Sequence, residues 1–443
     1  MQDLNPPQRE AARHVDGPLL VLAGAGSGKT RVITRKIAYL IEQCDIAPRN
    51  IAAVTFTNKA AREMKSRVAE LMAERNVSSR GLVVSTFHNL GLNILRRDYA
   101  ELGYRSGFSI FDAQDSLAVL RDLMGRDFAA DSEHAEQCQW QISEWKNQLI
   151  LPEQALKQAE DGKQLAAAKV YHRYVEALQA YNGVDFDDLI LKPVLLFRHK
   201  PEVLKRWQAR IHYLLVDEYQ DTNGCQYELV KQLVSIREAL TVVGDDDQSV
   251  YSWRGARPEN LAQLQTDFPR LKIIKLEQNY RSMGRILRVA NQLISNNPHL
   301  FEKKLWSAMG EGDAIRVIGC RDDDHESEKV VSELLYHKLK HQASFKDYAI
   351  LYRSNHQSRP IERILREHNV PYFLTGGTSF FSKVEVKDIM AYMRLLANQD
   401  DDNAFLRVIN TPRRGIGATT LQTLGNYAAE RKTRLVGACF DMG

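Results

Sequence analysis

An α/β fold, with a parallel sheet wound by helices and interrupted by helical insertions, is predicted by two patterns in the sequence. Short apolar runs recur at residues 19–22, 51–55, 81–86, 211–216, 241–244 and 271–276, and the early ones feed stretches with helical apolar spacing. Strands that alternate with helices are joined by crossovers, and crossovers make neighbouring strands parallel. In such sheets ligands gather at the carboxyl ends of the strands. The second pattern is the glycine-rich run Ala23-Gly24-Ala25-Gly26-Ser27-Gly28-Lys29-Thr30, set between the first apolar run and a helical stretch from Arg31 onward.

Strand, glycine loop and helix form the context of a phosphate-binding loop. Glycines let the backbone N–H groups of Ala25, Gly26, Ser27 and Gly28 turn towards one anion, and the helix N-terminus adds its partial positive charge. Lys29 then reaches the terminal phosphates, and the Thr30 hydroxyl holds Mg²⁺. The strict pattern asks for glycine where Ala23 stands. A glycine turn that only joins a strand to a helix is the other reading.

At 443 residues the chain has room for about three domains with their own cores. Its 44% hydrophobic and 26% charged residues are those of a soluble globular protein, not of a collagen-like, disordered or low-complexity chain. A formal charge of +4 is too small for a global nucleic-acid field, so any such footprint must be a local groove. Cys44, Cys138, Cys225, Cys320 and Cys439 are widely spaced with no C-x-x-C pair. That argues against zinc ribbons, iron–sulfur clusters and a disulfide scaffold. With no signal-peptide pattern and no apolar run of membrane length, the expectation is a cytoplasmic protein without a membrane partner.

Ahead of the loop, Asn5 can cap a short helix, and the Gln8 amide can both give and accept a hydrogen bond at an adenine edge. An exposed helical glutamine is the plainer reading. The second and third apolar runs end in Phe56-Thr57-Asn58 and Thr86-Phe87-His88-Asn89. Threonine, an aromatic ring and polar side chains at strand ends suit base stacking and phosphate contacts; core packing of the rings is the alternative. Between about residues 90 and 200 the strand signal fades, and residues 115–123, 139–148 and 166–181 read as helices of an insertion. Its acidic run Asp185-Phe186-Asp187-Asp188 is read as a capped helix start rather than a metal site.

The sheet resumes at residues 211–216 and delivers Asp217-Glu218. An apolar strand ending in paired acids suits Mg²⁺–nucleotide hydrolysis: Asp217 for the metal shell, Glu218 for the attacking water. The next strand leads to Asp245-Asp246-Asp247-Gln248, then Tyr251 and Trp253. Gln248 is placed to sense a γ-phosphate while Tyr251 and Trp253 touch bases. Beyond residue 276, Tyr280 can stack on adenine and Arg281 can pair with the γ-phosphate across a cleft. A new strand–helix series follows, with strands expected at 314–318 and 347–352 and helices at 326–340 and 357–368. The remainder is mostly helical. There Gly415-Ile416-Gly417, in a basic loop ahead of a helix, either presents N–H groups to a DNA phosphate or is an ordinary glycine turn.

Together the runs at 23–30, 53–59, 85–88, 216–222, 243–257, 276–282 and 411–417 resemble, in order and spacing, the superfamily 1 DNA helicases of the Rep/UvrD/PcrA group. The resemblance implies two RecA-like motor domains that clamp ATP, each with an inserted subdomain. It allots residues 1–88 and 199–276 to the first motor domain, with 89–198 as its insertion. It allots 277–374 to the first part of the second, and 375–443 to the start of an insertion there. It implies that Gln8, Arg31 and Tyr280 hold adenine. Lys29, Thr30, Asp217, Glu218, Gln248 and Arg281 would serve phosphate, Mg²⁺ and water. Phe56, Asn58, Thr86, His88, Tyr251 and Trp253 would line a single-stranded DNA path. It further implies 3′-to-5′ translocation in replication or repair, single-stranded DNA and single/double-strand junctions as substrates, and self-association or replication proteins as further partners. Family members run on past the equivalent of residue 443, so the chain is expected to be an N-terminal portion. A nucleotide- and DNA-binding module with little turnover is the rival reading. A GTPase is disfavoured because no Asn-Lys-x-Asp run is evident, and a small-molecule kinase does not call for so many aromatics at strand ends.

Overall fold

Eight strands occur among the described residues: β1 (Leu19–Ala23), β2 (Ile51–Thr55), β3 (Val83–Thr86), β4 (Ser109–Phe111), β5 (Gly183–Asp185), β6 (Tyr213–Val216), β7 (Leu240–Gly244) and β8 (Lys272–Leu276). This is a computed structural model that describes residues 3–124, 132–252, 255–375 and 380–442. Six strands form one parallel sheet in the order β3-β2-β6-β7-β1-β8, and β4 and β5 form a separate parallel pair. The expected α/β fold is therefore observed.

Strand periodicity explains how the sheet is buried. Leu20, Leu22, Ala52, Val54, Leu214, Val216 and Val242 point into one core, beneath the helices Phe87–Asp98, Asp188–His199 and Gly224–Val234. Their neighbours Leu19, Val21, Ile51, Ala53, Leu215 and Val243 point into the other, beneath the helices Pro6–Arg13, Lys29–Glu42 and Asn58–Ala73. A strand covered on both faces needs apolar residues at every position, which is why these runs are continuous rather than alternating. Each buried Val, Leu or Ile contributes roughly 1.5–3 kcal/mol.

The chain divides into two compact units, Met1–Asp313 with Arg394–Gly443, and Ala314–Met393. In the first unit the helices Ala113–Met124, Ser132–Asn147 and Gly162–Ala180 build an insertion core around Tyr171, Tyr174 and Leu178. The same core takes in Leu421, Leu424, Ala428 and Leu435 from the helices Ala418–Arg431 and Leu435–Met442. Arg407 Nη1 meets Asp115 Oδ1 at 2.7 Å, and Arg434 Nη2 donates to the Ser106 carbonyl at 2.7 Å.

The acidic run is the start of a helix, as the sequence suggests: Asp185 closes β5, and its Oδ1 accepts the Asp188 N–H at 2.9 Å. It also does something the sequence did not signal. Lys146, fully buried, places Nζ 2.7 Å from Asp185 Oδ2 and 2.9 Å from Asp188 Oδ1. These carboxylates hold an ammonium, and their charge keeps its pKa well above the ordinary lysine value against the opposing effect of burial.

The second unit contains the expected helices, Asp323–His341 and Ser358–Glu367, packed through Val331, Ile364, Leu365 and Val370. The strands expected at 314–318 and 347–352 are not formed. Their backbone faces no neighbouring strand among the described residues, and without pairing an apolar run cannot become a strand. Val317 and Leu351 are accordingly 95% and 92% exposed.

Candidate nucleotide site and strand-end surface

The glycine loop follows β1 at the carboxyl edge of the sheet, and the helix Lys29–Glu42 starts from it. Gly26 (φ 70°) and Gly28 (φ 91°) lie in the left-handed region, where a Cβ is disfavoured. Ser27 closes the turn, its N–H and its Oγ both reaching the Gly24 carbonyl, at 3.1 and 2.7 Å.

Three strand ends converge here. Lys29 Nζ donates to Glu218 Oε2, beyond β6, at 2.8 Å and to Gln248 Oε1, beyond β7, at 3.2 Å. Gln220 bridges the two turns: its Nε2 donates to Glu218 Oε2 at 2.9 Å and its Oε1 accepts the Asp245 N–H at 3.0 Å. Glu218 itself has φ 53°, a left-handed conformation that costs a non-glycine residue energy and here aims its carboxylate at Lys29. Asp217 is buried, and its Oδ1 accepts the Glu218 N–H at 3.0 Å. Burial, with the Glu218 charge adding and Lys29 opposing, pushes the Asp217 carboxyl up to about 7. The same first two causes push Asp221 up to about 6.

On the other side of the loop, Asn5 caps the helix Pro6–Arg13, with Gln8 as its capping-box partner. Gln8 is buried rather than exposed. Its Oε1 accepts the Asn5 N–H at 3.1 Å and its Nε2 donates to the Ser27 carbonyl at 2.8 Å, which leaves one amide N–H uncommitted. The Tyr280 N–H donates to the Gly26 carbonyl at 2.9 Å, and its hydroxyl lies 2.8 Å from both Asn5 Nδ2 and Gln278 Oε1. Tyr280, Asn5 and the loop are thus brought together. Arg31 stands at the rim, Nε 3.8 Å from Asp3 Oδ2, and Arg281 is exposed. Thr30 follows Lys29 in the first turn of its helix, half-buried.

The ends of β2 and β3 adjoin, since Thr55 pairs with Thr86. Phe87 is core and meets the half-buried Phe56 edge to face at 5.5 Å. Thr86 Oγ1 caps the helix Phe87–Asp98 by accepting the Asn89 N–H, and Asn89 Nδ2 donates to Asn58 Oδ1 at 3.1 Å. His88 stands edge-on to the half-exposed Phe186 at 6.2 Å, and burial lowers its pKa. Tyr251 is partly exposed, and Trp253 lies outside the described residues. At Gly415-Ile416-Gly417 the Ile416 N–H already donates to Asn410 Oδ1 at 3.2 Å.

Three positioning residues escaped sequence reading. Asn279 is buried; its Nδ2 donates to the Ala25 carbonyl at 2.6 Å while its Oδ1 accepts the Arg281 and Ser282 N–H groups. Its place between Gln278 and Tyr280 was the available signal. Gln220 stands two residues beyond the acid pair. Lys303 resembles any surface lysine in the run Glu302-Lys303-Lys304, yet its Nζ is 2.7 Å from Asp245 Oδ1 and 2.9 Å from Asp247 Oδ2, and also meets Asp246. Asp245, Asp246 and Asp247 have metal-ligand spacing, but an internal ammonium occupies that position.

A parallel sheet with a glycine loop, lysine and strand-end acids at its carboxyl edge, plus helical insertions, defines a RecA-like P-loop fold. The chain belongs to the UvrD/REP helicase family: residues 4–269 match the UvrD/REP helicase N-terminal domain and 274–440 the UvrD-like helicase C-terminal domain. It is 56% identical over 440 residues to the ATP-dependent DNA helicase Rep of Escherichia coli K12, covering 99% of this chain and 65% of that protein. With the ATP-dependent DNA helicase PcrA of Staphylococcus epidermidis it shares 43% over 447 residues, covering 60% of that relative. The chain therefore spans about two thirds or less of the length of these relatives. Among the described residues no helix is long and apolar enough to cross a membrane.

Proposed function

We propose that this chain is the ATP- and DNA-engaging part of a 3′-to-5′ single-stranded DNA translocase that unwinds duplexes at single/double-strand junctions. The observation that carries the reading is the pair of hydrogen bonds from Lys29 Nζ to Glu218 Oε2 and Gln248 Oε1, which gathers the three groups a γ-phosphate needs. Lys29 holds the β- and γ-phosphates, with the Ala25–Gly28 backbone N–H groups as cradle. Glu218 orients the attacking water and takes its proton, Gln248 senses the γ-phosphate, and Arg281 pairs with that phosphate. Gln8, Arg31 and Tyr280 hold the adenine.

An all-oxygen donor pair suits Mg²⁺: Asp217, a buried carboxylate whose proton affinity is raised by burial, and the Thr30 hydroxyl. When bound, Mg²⁺ supplies charge neutralisation at the phosphate oxygens. Phe56, Asn58, Thr86, His88, Tyr251, Trp253 and residues 415–417 form the DNA path. In this reading residues 1–88 and 199–276 are one motor domain, 89–198 its insertion, 277–374 part of a second motor domain and 375–443 the start of its insertion. The setting is the cytoplasm, with replication proteins or a second copy as further partners.

The test is ATP binding and hydrolysis, with and without single-stranded DNA. Lys29→Ala should abolish tight ATP binding, and Glu218→Gln should retain binding while losing turnover by at least about a hundredfold. Unchanged binding in Lys29→Ala would remove the phosphate-loop assignment. Turnover indifferent to DNA would remove the motor.

A further inference from the structure

At the opposite edge of the sheet from the glycine loop, where β2 and β3 begin, lies a cavity of about 370 Å³. Four arginines line it: Arg49, Arg96, Arg97 and Arg210. They come from three separate elements, the 3₁₀ turn Pro48–Asn50 and the last turns of the helices Phe87–Asp98 and Pro201–Arg210. The interior is apolar, with Ile51, Val83 and Leu90 among its lining.

None of the four guanidinium groups has an acidic partner among the described residues. Asp98, next to Arg97 in the chain, accepts instead from Arg206 Nη2 at 2.7 Å and from Trp207 Nε1 at 2.8 Å. Arg97 and Arg210 instead lie against the Trp207 ring, at 6.0 and 5.4 Å from its centroid, a contact that orients both heads. The helix dipole favours arginine in a last turn and accounts for Arg96, Arg97 and Arg210 one by one. It does not account for Arg49, nor for the convergence of all four on one apolar cavity.

We propose that this cavity docks an acidic peptide segment of a partner protein, with one apolar side chain of the peptide entering between the arginines. Guanidinium forks match carboxylates in paired hydrogen bonds, and the cavity volume falls within the roughly 300–1,000 Å³ range of ligand pockets. A nucleic acid fits less well. Stacking of single-stranded bases needs an exposed aromatic face, and Trp207 is buried with two guanidinium groups beside it. An aliphatic floor suits an anchor side chain better than a phosphate backbone.

The probe is a fluorescein-labelled tetra-aspartate peptide ending in phenylalanine, titrated with the full chain and followed by anisotropy. Expected are saturable, salt-sensitive binding and a loss of about tenfold or more in the double variant Arg97→Gln/Arg210→Gln. A comparable loss is expected when serine replaces the terminal phenylalanine. The substituted arginines are exposed, and an unchanged melting temperature would show that the variant folds. No saturable binding, or binding indifferent to the arginines or to the phenylalanine, overturns the proposal. So does a single-stranded oligonucleotide that displaces the peptide and loses its own affinity in the same variant, since the face would then belong to nucleic acid.

Discussion

Lys303 Nζ lies 2.7 Å from Asp245 Oδ1, both side chains almost fully buried, and this contact ties the segment after β8 to the turn that carries Gln248. Asp245 also accepts a hydrogen bond from Gln248 Nε2. The backbone N–H of Leu300 donates to Asp246 Oδ2 at 3.0 Å, and His299 Nδ1 meets Asp247 Oδ1 at 2.9 Å. One ammonium is thus shared by three carboxylates, and in return they raise its pKa above the ordinary lysine value, outweighing burial.

Replacing Lys303 by methionine should leave those carboxylates without their cation. Removing one partner of a buried pair costs about 3–5 kcal/mol, because the remaining charge is stranded. Urea unfolding of Lys303→Met should show a loss of that order, with Lys303→Arg retaining most of the stability. Lys303→Ala removes the charge and also empties the space among oxygens that have metal-ligand spacing, so Ca²⁺ should raise the melting temperature of that variant and leave the parent unchanged. A variant as stable as the parent would show that the three acids need no compensation.

Lys36 predicts a pH dependence. Its side chain is fully buried, with Nζ donating to the carbonyls of Ala11, at 3.0 Å, and His14. Burial lowers its pKa from 10.5 to about 7, against a small opposing pull from Cys44. Above that value the folded protein releases a proton that the unfolded chain keeps, so this residue makes stability rise with pH from about 7 towards 10.5. The burial cost of the charge is felt in full only below pH 7. Cys44 is shifted upwards by burial and acts in the opposite sense once thiols titrate, so the clean window is about pH 7 to 8.5. Across it the parent should gain up to about 1.4 kcal/mol per pH unit more than Lys36→Met. Parallel stability–pH curves for the two proteins would show that Lys36 keeps its proton.

Gly91 sets the distance between two helices beneath the sheet. A Cβ there would fall 1.8 Å from the Leu189 carbonyl oxygen on the facing helix segment. Gly→Ala inside a helix ordinarily gains about 1 kcal/mol. Here the clash wins, because a backbone carbonyl cannot rotate aside as a side chain could. Gly91→Ala should therefore lose stability at or beyond the upper end of the roughly 1–3 kcal/mol typical of overpacking, read by denaturant midpoint. A stabilised variant would mean that the helices separate easily.

The strands of the main sheet were legible because burial on both faces imposes continuous apolar runs, and the glycine loop and Asp217-Glu218 because they sit at strand ends. Lys146 and Lys303 were not, since a lysine deep among carboxylates has the same local sequence as a solvated one. The failed expectation at 314–318 and 347–352 has a related cause: apolar patterning records a preference for a pleated, half-buried surface, while a strand exists only through its neighbour. Asn279 was hidden because the group its amide N–H reaches, the Ala25 carbonyl, lies more than two hundred residues away in sequence. The joining of the C-terminal helices to the insertion core is likewise set by long-range packing that no local window contains.

That joining can be tested at Gly425. The residue lies in the helix Ala418–Arg431, and a Cβ on it would stand 2.5 Å from the Ala180 carbonyl oxygen at the end of the helix Gly162–Ala180. Helix propensity favours alanine by about 1 kcal/mol, but as at Gly91 the obstacle is backbone. Three ties hold the same interface: the Arg407–Asp115 pair, the Arg434 bond to the Ser106 carbonyl, and the Arg105 bonds to the Ala428 and Thr433 carbonyls. Gly425→Ala should therefore loosen the C-terminal helices without dissolving the sheet. Hydrogen exchange should accelerate in the amides of Ala418–Arg431 and Leu435–Met442 and in the facing part of Gly162–Ala180, while the amides of β1, β6 and β7 keep their protection. The main sheet has its own two cores, so a uniform rise in exchange would mean that the insertion core and the sheet unfold as one cooperative unit. Unchanged exchange everywhere would mean that the C-terminal helices do not rest on Ala180 in solution.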